Sequence, residues 1–246
     1  MRLPRALWRL AAALAQALGG ALICALWFPF LAPAQRMDHV GRWSARMLRA
    51  LGIRLEAHGS VHPAPLLLVA NHISWLDILV VNAVHPARFV SKADVKHWPF
   101  LGYLVKSGGT LFIERERKRD ALRVVHQIAE ALKAGDIVAV FPEGTTSDGH
   151  DVLPFHANLL QAAIATETPV QPIVLRYRDA SSAVSQAPAY VGDTSLAASL
   201  WATVMADALV AEMIVENARG TRHADRRALA ELLRDTIVGR LKESRA

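Results

Sequence analysis

The sequence predicts an α/β fold: a mostly parallel sheet covered by helices, with an N-terminal membrane-embedded helical anchor. From residue 53 onward, short apolar runs alternate with longer amphipathic segments, a pattern typical of parallel strands joined by helices. The runs at residues 66–70 and 136–141 are apolar almost throughout, as in strands that are buried on both faces of a sheet. Ahead of residue 53 lies a long uncharged segment, which predicts the anchor.

The composition fits one α/β domain of ordinary size with an appendage. The chain has 246 residues, of which 52% are hydrophobic, and its mean hydropathy is positive, which is high for a fully soluble protein. The single cysteine, Cys24, lies in an apolar segment, so we interpret it as a buried, inert thiol. It cannot form an internal disulfide, and nothing in the sequence indicates an oxidising compartment.

The net charge of +6 is concentrated in the first half of the chain. Residues 1–54 contain eight arginines and one acidic residue, and residues 88–119 contain eight lysines and arginines against three acidic residues. A basic protein can bind nucleic acid, but the sequence has no zinc module, RNA-binding aromatic signature or helix-turn-helix spacing. With an apolar segment beside it, the charge favours anionic membrane lipids, and no nucleic acid, as the partner.

The N-terminal segment has 26 uncharged residues between Arg9 and Arg36, and a bilayer core needs roughly 20 in a helix. Three interpretations stay open: a cleaved signal peptide, a single transmembrane span, and a monotopic anchor whose ends stay on one face. Small residues at 32–34 resemble a cleavage site, but the apolar region exceeds the roughly 7–15 residues of a signal peptide.

Both ends of this segment are basic, which favours a helical hairpin beside one anionic leaflet over a span with a one-sided charge bias. Residues 38–52 place apolar side chains at helical spacing and arginines on another face, as in an interfacial helix. The alternative is an amphipathic helix that packs on its own domain. We predict an anchor over residues 1–52, followed by a domain over residues 53–246 on the cytoplasmic face of the membrane.

The domain is predicted to alternate strands and helices. The predicted strands are residues 53–57, 66–70, 88–91, 110–113, 136–141, 170–176 and 213–216. The predicted helices are residues 74–84, 98–106, 119–133, 158–166, 195–209 and 225–241.

His72 and Asp77 follow the strand at residues 66–70, where it gives way to a helix. Histidine exchanges a proton near neutral pH, with an unperturbed pKa of about 6.5, and it is a better base when a carboxylate holds its other ring nitrogen. Asp77 can supply that carboxylate. The alternative is a variant of the capping box, in which Asp77 only closes the start of the helix.

Three further blocks lie at predicted strand ends. Arg115 follows two glycines and a strand, and arginine grips phosphate bidentately, although a solvated charge run is an alternative. The Glu143-Gly144-Thr145 turn follows the strand at 136–141 and can present backbone N–H groups to an anion, unless it is simply a polar turn. The prolines at 169 and 172 predict an edge strand or a bulge.

Together, the four blocks resemble those of the glycerolipid acyltransferase family, the 1-acyl-glycerol-3-phosphate acyltransferases, over roughly residues 53–180. The blocks occur in the family's order: Asn71-His72-x4-Asp77, Gly109-x2-Phe112-Ile113-Glu114-Arg115, Phe141-Pro142-Glu143-Gly144-Thr145 and Pro172-Ile173-Val174. The sequence departs from the family pattern in two places: Glu114 stands where many members have aspartate, and His156-Ala157 replaces a Lys-Gly pair, which bears on the acceptor head group.

The resemblance implies transfer of a fatty acyl group from acyl-CoA or acyl-carrier protein to the sn-2 hydroxyl of a lysophospholipid. His72 would act as the base and Asp77 would orient it. It further implies acceptor-binding residues for the glycerol phosphate: Arg115, Glu143, Gly144 and Thr145. Lys92 and Lys96 are candidates for binding the phosphates of the donor, and a solvated basic face is the alternative for each.

Neither a metal ion nor any other cofactor is expected. Three other functions stay open: acylation of a different lysolipid, such as a lyso-aminolipid of the lyso-ornithine type, lipid hydrolysis with Ser74 as nucleophile, and lipid binding without catalysis. The Gly-x-Ser-x-Gly elbow of many hydrolases is absent around Ser74.

Overall fold

The computed structural model describes residues 2–92, 101–113 and 118–243. Its helices are α1 (Arg2–Leu26), α2 (Pro33–Ala50), α3 (Leu76–Val84), α4 (Leu101–Ser107), α5 (Lys118–Lys133), α6 (Gln161–Ala165), α7 (Leu196–Met205) and α8 (Arg226–Glu243). Its strands are β1 (Arg54–His58), β2 (Leu66–Ala70), β3 (Arg88–Lys92), β4 (Leu111–Ile113), β5 (Ile137–Val140), β6 (Val170–Arg178) and β7 (Val210–Val215). Short 3₁₀ turns cover Phe28–Phe30 and Ala157–Leu160.

Within the described residues, seven strands form one sheet in the order β1-β7-β6-β2-β5-β3-β4. Neighbouring strands run parallel throughout, except that β6 and β7 are antiparallel. The predicted mostly parallel sheet is therefore confirmed. Since β2 lies between β5 and β6, the turns that follow β2 and β5 emerge side by side at one edge of the sheet.

Both faces of β2 are buried, which explains why its sequence is apolar at every position. Leu66, Leu68 and Ala70 face a core formed with α1, α2, α3 and α7. Leu67 and Val69 face the opposite core, which is formed with α5, α6 and α8. The period-2 alternation of a strand thus divides one apolar run between two helical layers.

The helical hairpin of α1 and α2 shares its core with the sheet. Met47, Leu48 and Leu51 are buried in the same apolar cluster as β2 and β6. The apolar face of α2 therefore packs on the protein itself, as in the alternative to an interfacial helix, and Arg42, Arg46 and Arg49 on its other face are exposed. The predicted boundary at residue 52 thus divides the helical hairpin from the α/β part of the chain, but both parts share one core. The role of residues 1–52 as an anchor stays a prediction.

Helix α7 ends earlier than the sequence predicts. The predicted helix over residues 195–209 stops at Met205, and β7 begins at Val210 rather than at residue 213. The last carbonyls of a helix lack partners within it, and here Arg9 of α1 donates to the carbonyls of Val204 and Ala206, both at 2.9 Å. The helix therefore ends where a side chain from the start of the chain binds it.

Pro172 lies in β6, an interior strand, so the expectation of an edge strand is wrong. Proline is tolerated because its paired residue on β7 is Glu216, one position beyond the end of that strand. The Glu216 N–H donates to the Pro172 carbonyl at 3.0 Å. The Gln171 side-chain amide donates to the Glu216 carbonyl at 2.8 Å and so replaces the N–H that proline lacks.

The other predicted elements are present with shifted ends. The helix predicted over residues 98–106 is described from Leu101 onward, and the one predicted over residues 158–166 is a 3₁₀ turn followed by α6.

The contact between α1 and α2 gives a test of the hairpin. A Cβ added at Gly20 would lie 2.4 Å from Nε1 of Trp43, whereas one added at Gly19 would meet nothing within 4 Å. Nε1 of Trp43 donates to the Gln16 carbonyl at 2.9 Å, so the indole cannot move without losing that bond. We expect Gly20→Ala to lower the free energy of unfolding by about 1–2 kcal/mol and Gly19→Ala to raise it by up to about 1 kcal/mol, because alanine favours helix.

Denaturant unfolding of both variants in the same detergent would measure this difference. Equal stability of the two variants would contradict the observed packing of Trp43 on Gly20.

Candidate active site

The candidate site lies at the carboxyl ends of β2 and β5. The chain leaving β2 forms a turn over residues 71–75 before α3, and the chain leaving β5 forms a turn over residues 141–147. The two turns are bonded to each other, since the Ser147 N–H donates to the His72 carbonyl at 2.8 Å. The sheet therefore brings together two of the blocks that the sequence singled out.

His72 and Asp77 form a hydrogen-bonded pair. Nδ1 of His72 lies 2.8 Å from Oδ2 of Asp77. The carboxyl group is fully buried, whereas the imidazole retains 19% exposure. A carboxylate can only accept, so Nδ1 carries the proton and Nε2 is left as the basic nitrogen. Among the described residues, Nε2 has no hydrogen-bond partner.

The Asp77 carboxylate also organises the turn that carries His72. Oδ2 accepts from the N–H groups of Ile73 at 2.7 Å and Ser74 at 2.9 Å, and Oδ1 accepts from the Tyr177 hydroxyl at 2.7 Å. These backbone contacts are like those of a capping box, in which a side chain in the first turn of a helix accepts from a backbone N–H group at its start. Orienting the imidazole and closing the start of α3 are therefore compatible in one side chain.

Aromatic rings support one face of the imidazole. Phe141 stacks on His72 with ring centroids 4.0 Å apart and planes 7° from parallel, and Phe89 stacks on Phe141 at 5.6 Å. These contacts, together with the bond to Asp77, restrict rotation of the ring about both side-chain torsions.

Glu143 lies beneath the turn and is only 4% exposed. Its carboxylate oxygens accept from the backbone N–H of His72 at 2.6 Å and of Leu153 at 2.7 Å. Burial raises the pKa of Glu143 to about 7, against the opposing effect of the two N–H donors. The structure thus places Glu143 where it holds the backbone of His72, and contact with an acceptor lipid stays a prediction.

Gly144 and Thr145 form the outer part of the second turn. Gly144 has a φ of +73°, which favours glycine, and its N–H donates to the Phe141 carbonyl at 3.1 Å. The Thr145 side chain is exposed. Both residues sit on the same turn as Phe141, at the rim of the candidate site.

Three predicted binding residues fall outside the described part of the chain: Arg115, Lys96 and the side chain of Lys92, whose backbone ends β3. Ser74 is fully buried and its Oγ accepts from the Leu76 N–H at 3.3 Å. This location does not suit a hydrolytic nucleophile.

Three residues contact the site although the sequence patterns predicted no role for them. The Asn71 amide bonds both the N–H and the carbonyl of Leu175 on β6. The Tyr190 N–H donates to the Ile73 carbonyl at 3.0 Å, and its carbonyl accepts from the Thr146 hydroxyl. Tyr177, the third, alternates with arginines along β6, which indicates burial but does not reveal Asp77 as its partner.

Within the described part of the chain, one group of side chains lies close enough to hold a metal ion: Glu56, His58 and Glu212. It sits on β1 and β7, away from His72. Its carboxylates already pair with arginines of β6, Glu56 with Arg178 at 2.8 Å and Glu212 with Arg176. Neighbouring guanidinium groups oppose a bound cation.

A His–Asp pair with a buried carboxylate lies beside a glycine turn at the carboxyl end of a parallel sheet, an arrangement that could support proton abstraction. A family model described as Acyltransferase matches residues 53–176, a span that contains both turns. The chain belongs to the acyltransferase family.

Two similar relatives carry names that specify a lipid acceptor. The chain is 37% identical over 208 residues to the 1-acyl-sn-glycerol-3-phosphate acyltransferase of Neisseria meningitidis, covering 83% of this chain and 81% of the relative. It is 39% identical over 154 residues to the lyso-ornithine lipid O-acyltransferase of Pseudomonas aeruginosa, covering 63% and 59%.

The fold is similar to the crystal structure of the 1-acyl-sn-glycerophosphate acyltransferase from Thermotoga maritima. The TM-score is 0.74, and the match covers 100% of this chain and 98% of that chain at 17% identity. This likeness confirms the predicted fold, including an N-terminal apolar helix that is a candidate membrane anchor.

The raised pKa of Glu143 predicts how stability depends on pH. The folded protein retains this proton up to about pH 7, whereas the unfolded chain releases it near 4.5. The folded state binds more protons between these values, so the contribution of Glu143 is complete below 4.5 and falls as pH rises to about 7. The loss amounts to up to about 3 kcal/mol.

Unfolding free energies of the wild type and Glu143→Gln, measured from pH 4.5 to 8, would test this. We expect the wild type to lose stability relative to the variant over this window, because glutamine does not titrate. A constant difference between the two proteins would contradict the assignment.

Proposed function

We propose that this protein transfers a fatty acyl group from an acyl thioester to the sn-2 hydroxyl of 1-acyl-glycerol-3-phosphate, giving phosphatidic acid. The observation that carries the proposal is the His72–Asp77 hydrogen bond of 2.8 Å in the turn between β2 and α3. The acceptor is inferred from the relative in Neisseria meningitidis, which matches most of both chains.

In the proposed mechanism, Nε2 of His72 removes the proton from the sn-2 hydroxyl as its oxygen attacks the thioester carbonyl. Asp77 stabilises the resulting imidazolium and holds the ring in place. Backbone N–H groups near the two turns would stabilise the oxyanion. When the tetrahedral intermediate collapses, the C–S bond breaks and the thiolate takes the proton from His72.

The substrates are held by residues around this centre. We propose that Arg115 binds the phosphate of the acceptor next to the turn of Gly144 and Thr145, and that Lys92 contributes to binding the phosphates of acyl-CoA or acyl-carrier protein. Glu143 acts from below by holding the backbone of His72. In this proposal the reaction uses no resident metal ion or cofactor, since the base and the thioester supply its chemistry.

We further propose that α1 attaches the protein to one leaflet of the membrane. The helix is 25 residues long and apolar enough to cross a bilayer. Its exposed large side chains, with those of the following turn, are Leu3, Leu7, Trp8, Leu14, Leu18, Leu22, Leu26, Trp27 and Phe30. This apolar stripe suits burial in the acyl region of a leaflet.

Contacts at the start of α1 favour a monotopic anchor over a transmembrane span. Arg5 pairs with Asp207 at 2.9 Å, and Arg9 binds the end of α7. A span along the whole of α1 would require these contacts to break. Because thioester donors are made in the cytoplasm, we propose that the catalytic domain faces that side.

A second acceptor is favoured by a specific observation. The lyso-ornithine lipid O-acyltransferase of Pseudomonas aeruginosa matches this chain at 39% identity, although over a shorter part of it. Such an acceptor has a hydroxyl to acylate but an amino-acid head group in place of a phosphate. The same His72 chemistry would serve both lipids, and the head-group contacts would distinguish them.

An acceptor panel would test the function. We expect purified protein to acylate lysophosphatidic acid, and His72→Ala to lower kcat by about 10³-fold or more because the general base is lost. His126→Ala is a matched control, since His126 is exposed on α5, and it should retain activity.

Transfer to lyso-ornithine lipid but not to lysophosphatidic acid would replace the proposed acceptor. Release of free fatty acid without transfer would instead indicate a hydrolase, and unchanged transfer by His72→Ala would overturn the proposed mechanism.

A flotation assay with vesicles containing anionic lipid would test the anchor. Leu18 and Leu22 on α1 are 60% and 61% exposed, so changing both to serine removes apolar surface while sparing the core. We expect this variant to bind vesicles less than the wild type, by about tenfold. Leu122→Ser with Leu232→Ser, at exposed sites on α5 and α8, should bind normally; equal binding by both variants would contradict the proposal.

A further inference from the structure

We infer that Tyr177 is a positioning residue for acyl transfer: its hydroxyl holds Oδ1 of Asp77, so that Oδ2 stays on Nδ1 of His72. The inference rests on the proposed role of His72 as the base. Tyr177 lies on β6, 100 residues after Asp77 in the chain, outside the blocks that resemble the family pattern.

The position of Tyr177 follows from the unequal lengths of two neighbouring strands. β2 pairs with β6 only as far as Ala70 and Ile173. β6 then continues to Arg178 beside the turn that carries His72. The last residues of β6, after Ile173, therefore lie beside the turn that carries His72, whereas the residues up to Ile173 pair with β2.

Asn71 fixes β6 against this turn. Its side-chain amide donates to the Leu175 carbonyl at 2.9 Å, and its side-chain carbonyl accepts from the Leu175 N–H at 2.8 Å. Tyr177 is two residues further along and so points to the same face of the sheet. The paired contacts of Asn71 thus set the distance between the Tyr177 ring and Asp77.

Tyr177 is 2% exposed and packs in the apolar core. Its neighbours Arg176 and Arg178 point to the other face, where they pair with glutamates. A buried phenol needs a hydrogen-bond partner, and Asp77 provides it. Burial, together with the Asp77 charge, raises the pKa of Tyr177 well above its usual range, so the hydroxyl remains protonated and donates.

The hydroxyl matters because the other donors to Asp77 all bind the same oxygen. Oδ2 accepts from Nδ1 of His72 and from two backbone N–H groups. Among the described residues, Tyr177 is the donor to Oδ1. The terminal torsion of aspartate is broad, so without this donor the carboxylate can turn and bring Oδ1 toward the N–H groups. That rotation would weaken the hold on His72.

Steady-state kinetics of Tyr177→Phe would test the inference at a temperature well below its unfolding transition. We expect kcat to fall about tenfold, as for loss of a hydrogen bond to a buried charge, while KM for acceptor and donor changes less than about twofold. Tyr103→Phe removes the same hydroxyl from an exposed residue of α4 and should match the wild type. An unchanged kcat in Tyr177→Phe would overturn the inference.

A double-mutant cycle would separate positioning from packing. If Tyr177 acts through Asp77, then adding Tyr177→Phe to Asp77→Asn should lower kcat by less than about twofold further. A full tenfold loss in the Asp77→Asn background would show that Tyr177 supports the core rather than the dyad.

A measurement that does not require Tyr177→Phe to fold uses the hydroxyl proton itself. With isotope-labelled tyrosine, we expect a slowly exchanging Tyr177 hydroxyl proton in the NMR spectrum that shifts in Asp77→Asn. A Tyr177 hydroxyl signal with the same chemical shift in the wild type and in Asp77→Asn would overturn the inference. Failure of the proposed function is distinguishable: loss of the role of His72 as the base would leave His72→Ala fully active, and a different acceptor would show in the acceptor panel.

Discussion

The fully buried carboxylate of Asp77 is the group around which the candidate site is built. An isolated buried carboxylate would be strongly destabilising, and four hydrogen bonds compensate for its lost hydration. Those bonds reach the imidazole, the backbone of the preceding turn and a strand from the second half of the chain. The requirement to satisfy one buried charge therefore fixes the orientation of His72 and the path of the chain from β2 to α3. It also joins this turn to Tyr177 on β6.

A second constraint comes from the order of the parallel strands. β2 and β5 are neighbours, so the turn of His72 and the turn of Glu143 meet at one edge. Phe141 then stacks on the imidazole, and Glu143 holds the His72 N–H at 2.6 Å. The raised pKa of Glu143 shows that burial outweighs its two backbone donors. Burial of Glu143 thus lowers stability near neutral pH at a position that orders the turn of His72, as is common at functional sites.

The N-terminal hairpin serves the domain as well as the proposed membrane contact. Ala6 and Ala13 of α1 and Leu48 of α2 are buried with the sheet, and Arg9 completes the end of α7. The leucines of the opposite face of α1 are exposed. In the sequence, this segment is uncharged between Arg9 and Arg36. The packing divides α1 into a face of small residues (Ala6, Ala13 and Gly20) against the protein and a leucine-rich face available to lipid.

The sequence by itself determined the alternation of strands and helices, and the order of four separate blocks determined the family. It predicted the pairing of His72 with Asp77 alongside a helix-capping alternative. The strand and helix patterns and the His72–Asp77 spacing each lie within a short window. Tertiary structure decided the rest: Arg9 ends α7 where propensity would have continued the helix, Gln171 makes Pro172 acceptable in an interior strand, and Tyr177 completes the donors to Asp77. These contacts join residues far apart in the chain. Their partners are set by strand order and by the need to satisfy buried polar groups, which no local pattern records.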